Sequence, residues 1–376
     1  MGSLRLLLAL SVVAAHSKGL FLGWSGVYGQ LAVESFYIVS GFLITVILHQ
    51  KYPTSDGNWI FYSNRFLRIW VPYIAVAAAT LLILKASSKF GGHVLGGSAA
   101  FSKSAFQNFD PLTLVAVLGT NLLLFGQDLA MWLAYNPETG LYLTPNFRQE
   151  QSPFNQFYIL DQSWTLGLEL TFYLVAPYVV RRHWTVIVVL MSASLGARAL
   201  AYNAGYDFDP WTYRFFPFEL ALFLAGALSA RVYLNSRLVS EPPGHFGGVL
   251  ALSAIGLVAL WCYLPGTVRP NWLLYAVVSG TLPVLFALTK DWSFDQFLGS
   301  LSYPVYLVHV PIILILRSWG LDDNGGIPSV ILMPASLLLA TLLAYYVETP
   351  LDRLRQSRVS RPNNPALRTA EESSRT

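Results

Sequence analysis

Eleven apolar stretches run through this chain, at residues 4–22, 27–49, 66–85, 111–126, 163–180, 184–203, 214–232, 246–264, 271–289, 297–318 and 328–348. In hydrocarbon, a segment of this kind satisfies its backbone N–H and C=O groups as a helix, so the pattern predicts an all-α, polytopic transmembrane helical bundle. Composition agrees: 12% of the 376 residues are charged, against about 25% in an ordinary soluble domain. The basic excess is small, 24 Lys and Arg against 20 Asp and Glu, and it gathers beside the apolar runs and in the tail. It therefore reports membrane topology and argues against nucleic acid as a partner. The single cysteine, Cys262, lies in an apolar run and reads as packing.

Basic residues give the orientation. Lys51, Arg65 and Arg68 follow the second run, Arg181 and Arg182 the fifth, Arg231 and Arg237 the seventh, Lys290 the ninth, and Arg353, Arg355, Arg358 and Arg361 the last. All should face the cytoplasm. Eleven crossings cannot satisfy that, and the weakest run is 111–126, which opens on Asp110-Pro111 and carries Gly119, Thr120 and Asn121. Read as re-entrant or interfacial, it leaves about ten spans with both termini cytoplasmic and residues 86–162 outside. Residues 1–350 then form one transmembrane domain, and 351–376 a disordered basic cytoplasmic tail. A removable leader is not favoured for the first run, because the second begins after only a short turn.

Several polar residues interrupt the apolar pattern. Arg5 and His16 are eleven residues apart, about three turns or roughly 16 Å on one helix face. Ionisable groups at such depth face a protein interior or a wet cavity and are functional candidates. Glu34, near the start of the second helix, is expected to reach the depth of His16 and to act as its orienting carboxylate, making a base-and-orienter pair. Ser40 lies further along the same helix. Arg65 and Arg68, three apart, project from one face, where two guanidinium groups suit phosphate oxygens. Glu169 lies below an interfacial Trp164, Arg214 and Glu219 form a further ionisable pair, and Ser302, Tyr306 and His309 share a helix face. Together these residues predict a polar cavity within the bundle. A transporter or flippase of a polar solute would use the same feature. No Gly-x-Ser-x-Gly elbow, His-Glu-x-x-His or P-loop is present, and no metal site is assigned.

The order of these pieces carries a resemblance. Arg5 and His16 with ten residues between, GVYGQLAVESFYIVSGFLI, FYSNRFLRIWVPY, QSWTLGLELTFYLVAP and LGSLSYPVYLVH resemble, in that order, the acyltransferase-3 family of integral-membrane O-acyltransferases. The resemblance implies transfer of an acyl group, usually acetyl, from cytoplasmic acetyl-CoA or another acyl-CoA. The acceptor would be a hydroxyl of an exported or lipid-linked polysaccharide, such as exopolysaccharide or lipopolysaccharide, on the extracytoplasmic side of a bacterial inner membrane. It implies His16 and Glu34 as catalytic residues and Arg65 with Arg68 as the acyl-CoA phosphate site. Arg5, Ser40, Glu169, Arg214, Glu219, Tyr306 and His309 would bind substrate or support the site. Two departures stand out: Thr165 replaces a serine before Glu169, and Glu34-Ser35-Phe36-Tyr37 stands where the family pattern has an acid, an apolar residue and two phenylalanines.

Overall fold

Each apolar stretch of the sequence is helical. The computed structural model describes residues 1–89, 109–241, 243–266, 269–321 and 326–359. Its helices are α1 (Gly2–Ala15), α2 (Gly29–Gln50), α3 (Asn58–Lys89), α4 (Pro111–Leu123), α5 (Trp164–Val179) and α6 (Trp184–Asn203), followed by α7 (Phe216–Leu234), α8 (His245–Ala259), α9 (Asn271–Thr289), α10 (Ser293–Ser318) and α11 (Ser329–Leu343). A π-helical turn, Ala344–Glu348, carries α11 directly into α12, Thr349–Val359.

Length separates these helices. Among the described residues, seven are long and apolar enough to cross a membrane: α2, α3, α6, α7, α9, α10 and the continuous Ser329–Val359 segment. Helices α1, α4 and α8 are shorter apolar helices, and α5 has 16 residues. The 14 residues of α1 rise about 21 Å, against a hydrocarbon core of about 30 Å. Helix length and hydropathy thus mark seven spans among the described residues, while the ten expected from counting apolar runs include shorter helices that this criterion does not count. The protein is a multi-pass membrane protein on either count.

Helix α4 is set by its ends. The Asp110 carboxylate accepts from the backbone N–H groups of Leu112 and Thr113, each at 3.0 Å, and Pro111 occupies the first turn where no N–H is needed. Leu124 closes it in the left-handed conformation at φ 65°. Beyond it lies a small antiparallel hairpin, β1 (Leu133–Asn136) with β2 (Gly140–Leu143), which the helical pattern of the sequence did not announce.

Close packing is arranged around two pairs of glycines. A Cβ on Gly41 would lie 1.9 Å from the Phe223 carbonyl oxygen, and one on Gly226 would lie 1.9 Å from that of Ile38. Helices α2 and α7 therefore cross backbone to backbone. Gly2 and Gly299 bring α1 against α10 in the same way, and a Cβ on Gly299 would come within 3.6 Å of Arg5 Nη1. The Asp295 carboxylate of α10 caps α1 by accepting from the N–H groups of Gly2 at 2.6 Å and Ser3 at 2.8 Å. Helix α1 thereby lies between α2, α10 and α11, with Arg5 near one end and His16 at the other.

Residues 351–359, assigned from the sequence to a disordered tail, are helical and docked. Asn64 of α3 donates to the Arg355 carbonyl at 3.3 Å and accepts from Arg358 at 3.1 Å, while Arg358 also donates to Ser63 at 3.0 Å. Their basic composition reads as a solvated tail, but these contacts fix them to the start of α3. Residues 360–376 of the assigned tail lie outside the described residues.

Candidate active site

Three cavities follow one another along α1. A mouth of about 240 Å³ is lined by Arg5, Leu43, Arg68, Lys290, Glu348 and Arg355, among others. A central cavity of about 250 Å³ lies next to it, and Arg5, Leu43 and Arg68 wall both. A vestibule of about 1480 Å³ lies at the far end and contains His16. Val33 and Tyr306 separate the central cavity from the vestibule.

The central cavity carries an unbalanced charge. Arg5 from α1 and Arg65 with Arg68 from α3 all line it, and Glu169 of α5 is the carboxylate on its wall. Glu169 is already engaged, accepting from Ser40 Oγ at 2.8 Å and from the Tyr173 hydroxyl. Among the described residues, none of the three arginines is salt-bridged, and Arg65 Nε is buried without a hydrogen-bond acceptor. Three guanidinium groups gathered this way have the chemistry to suit an anion bearing several oxygens. The sequence expected Arg65 and Arg68 to act as a pair; the fold adds Arg5 to them and ties Ser40 to Glu169.

His16 follows the last residue of α1 and is exposed to the vestibule. Its Nδ1 lies 2.8 Å from the Val12 carbonyl oxygen. A carbonyl only accepts, so Nδ1 carries the hydrogen and Nε2 is left with a lone pair, the tautomer a general base requires. The fold-back onto its own helix thus does the orienting expected of Glu34.

Glu34 is held elsewhere. It is 1% exposed and accepts from Arg198 Nη2 at 3.2 Å, Gln30 Nε2 at 3.3 Å and the Tyr275 hydroxyl. Arg198 also pairs through Nη1 with Glu219, at 3.4 Å. One arginine of α6 therefore serves two buried carboxylates, from α2 and α7. The expected pairing of Glu34 with His16 is corrected by this geometry, and so is that of Arg214 with Glu219. Arg214 precedes α7 and binds Asp209 at 2.9 Å, with its guanidinium 4.2 Å above the Trp164 ring.

Helix α10 supplies Ser302 and Tyr306 to the central cavity. The Tyr306 hydroxyl lies 2.7 Å from Thr165 Oγ1 and donates to the Gln162 carbonyl at 3.1 Å. His309, one turn further on, is fully buried, and its ring centroid is 5.1 Å from that of His16. Its Nδ1 donates to the Tyr306 carbonyl at 2.6 Å, while Nε2 has no hydrogen-bond partner among the described residues. Asn121, a polar residue of the weak 111–126 run, donates to the Val117 and Phe157 carbonyls and accepts from Ile159 N–H. Sequence reasoning missed Arg198, Tyr275 and Arg355. An arginine inside the apolar run of α6 was a signal for the first; a tyrosine in an apolar helix gives none.

Fold and site together define a multi-pass membrane protein with an arginine-lined intramembrane cavity beside a histidine-bearing vestibule. The chain belongs to the acyltransferase-3 family: the model of that family's acyltransferase domain matches residues 2–349. It is similar to the O-acetyltransferase OatA of Staphylococcus aureus strain NCTC 8325 / PS 47, at 22% identity over 382 residues, and equally to OatA of strains COL and MRSA252. Each match covers 93% of this chain and 56% of the relative, so the chain spans little more than half their length. No solved structure matches it. These relationships favour an acyltransferase over a transporter or flippase.

Proposed function

We propose that the protein is a membrane O-acyltransferase, specifically an O-acetyltransferase, that moves an acetyl group from cytoplasmic acetyl-CoA to a hydroxyl of an exported or lipid-linked glycan. The observation that carries this reading is the placement of Arg5, Arg65 and Arg68 around one cavity whose far wall, Val33 and Tyr306, also bounds the His16 vestibule. In this reading the basic ends of the helices face the cytoplasm. The donor enters at the mouth, its phosphates bind the arginines, and its pantetheine arm extends past Tyr306 toward His16.

The acceptor occupies the vestibule, whose walls include Trp164, Tyr213 and Arg214; aromatic faces of this kind stack on sugar rings. His16 Nε2 takes the proton of the acceptor hydroxyl as its oxygen attacks the thioester carbonyl. The tetrahedral intermediate collapses by breaking the carbon–sulfur bond, and the imidazolium returns its proton to the departing thiolate. The products are the O-acetyl ester and free CoA. Glu34 acts as a positioning residue: through Arg198 and Tyr275 it holds α2, and with it Gln30 and Val33 on the vestibule wall. Glu169 sets Ser40 and Tyr173 beside the arginines.

The test uses purified full-length chain, radiolabelled acetyl-CoA and extracted surface polysaccharide. His16→Ala is expected to lose transfer by about 10²- to 10⁴-fold, the usual contribution of a positioned base, while acetyl-CoA binding measured by calorimetry is retained. Transfer by His16→Ala at the wild-type rate would place the base elsewhere.

A further inference from the structure

The mouth contains an arginine that the mechanism above does not use. Arg355 lies on α12, beyond the matched domain at residues 2–349, and is only 9% exposed. Its Nη2 pairs with Asp352, but Nε and Nη1 are buried with no acceptor among the described residues. Buried guanidinium N–H groups without partners are costly, and Arg355 lines the same cavity as Arg5 and Arg68. Three of the neighbouring charges are committed. Lys290 donates to the Val239 carbonyl at 2.9 Å, Asp295 caps α1, and Asp352 holds one edge of Arg355. Glu348 also faces the mouth, and its Oε1 has no hydrogen-bond partner among the described residues. The backbone at Arg355 is fixed by Asn64, adjacent to Arg65 on α3, so the added arginine is built onto the helix that carries Arg65 and Arg68.

The order of groups along CoA decides what would meet it. With the acyl thioester toward His16 and the diphosphate at the central arginines, the 3′-phosphate of the adenosine end is left at the mouth. We propose that Arg355 binds this 3′-phosphate, making α12 part of the donor site and a discriminator between CoA and ligands lacking the monoester. The proposal rests on the acyl-CoA reading of the central cavity.

The experiment compares CoA with dephospho-CoA, which lacks only that phosphate, by calorimetry on the detergent-solubilised full chain. Wild type is expected to prefer CoA by about tenfold or more, in line with a charge-assisted phosphate contact. Arg355→Gln should bring that ratio close to one with dephospho-CoA affinity unchanged, and Arg355→Lys should keep part of the preference. A preference undiminished in Arg355→Gln, or absent in wild type, overturns the inference while leaving the donor reading intact. Failure of wild type to bind either ligand overturns the donor reading itself. If Arg355→Gln loses dephospho-CoA binding through misfolding, Asp352→Asn decides. Freed from its carboxylate, Arg355 should raise the preference for CoA, and an unchanged or lower preference would refute the assignment.

Discussion

At the residue scale the site separates into side chains whose spacing already places them and side chains placed only by packing. Arg5, His16, Arg65 and Arg68 belong to the first group. Eleven residues put Arg5 and His16 at opposite ends of one face, and three put Arg65 and Arg68 on another. Glu34 belongs to the second, because its cationic partner Arg198 stands 164 residues away and no local pattern links them. Arg214 and Glu219 are five apart, yet α7 begins at Phe216, so Arg214 follows the loop and not the helix. Two predictions arise here. Arg65→Lys or Arg68→Lys should weaken acetyl-CoA binding by about tenfold, ~1.4 kcal/mol, because a point charge replaces a planar fork; unchanged affinity in the double variant would remove the phosphate assignment. Arg198→Met should lower stability by about 3–5 kcal/mol, since it strands two buried carboxylates, and adding Glu34→Gln and Glu219→Gln should recover much of that. Thermal unfolding in detergent reads both, and a single variant as stable as wild type would show that the cluster is not held by its arginine.

At the scale of elements, the apolar runs located the helices closely, but composition could not say how near two of them come. Gly41, Gly226 and Gly196 all sit inside apolar helices, and only the fold distinguishes them. Gly41 and Gly226 meet backbone on the facing helix, whereas a Cβ on Gly196 meets nothing within 4 Å. Gly226→Ala is therefore expected to destabilise by about 1–3 kcal/mol or more through overpacking of α2 against α7. Gly196→Ala should be neutral or stabilising by about 0.5–1 kcal/mol, as for an open helical glycine. Equal melting temperatures for the two variants would contradict the close crossing. The hairpin β1–β2 stayed hidden for a related reason: four-residue strands next to long helices leave too little alternation to stand out.

At the scale of the whole molecule, the sequence identified a helical membrane bundle with a polar interior, while the number of crossings depends on helices shorter than the bilayer. What the bundle adds is an axis. Arg355, Arg68 and Arg5, then Tyr306, then His16 line successive cavities, so a donor held at one end and an acceptor at the other would meet at one imidazole. The central claim is that acetyl leaves CoA on the cytoplasmic face and arrives on a hydroxyl across the membrane. Proteoliposomes of defined orientation measure it directly, with radiolabelled acetyl-CoA confined to the cytoplasmic face and polysaccharide to the other. Wild-type protein should label the polysaccharide without acetyl-CoA crossing, and His16→Ala should bind donor but transfer nothing. Labelling only of polysaccharide supplied on the donor side, or undiminished transfer by His16→Ala, would contradict the account.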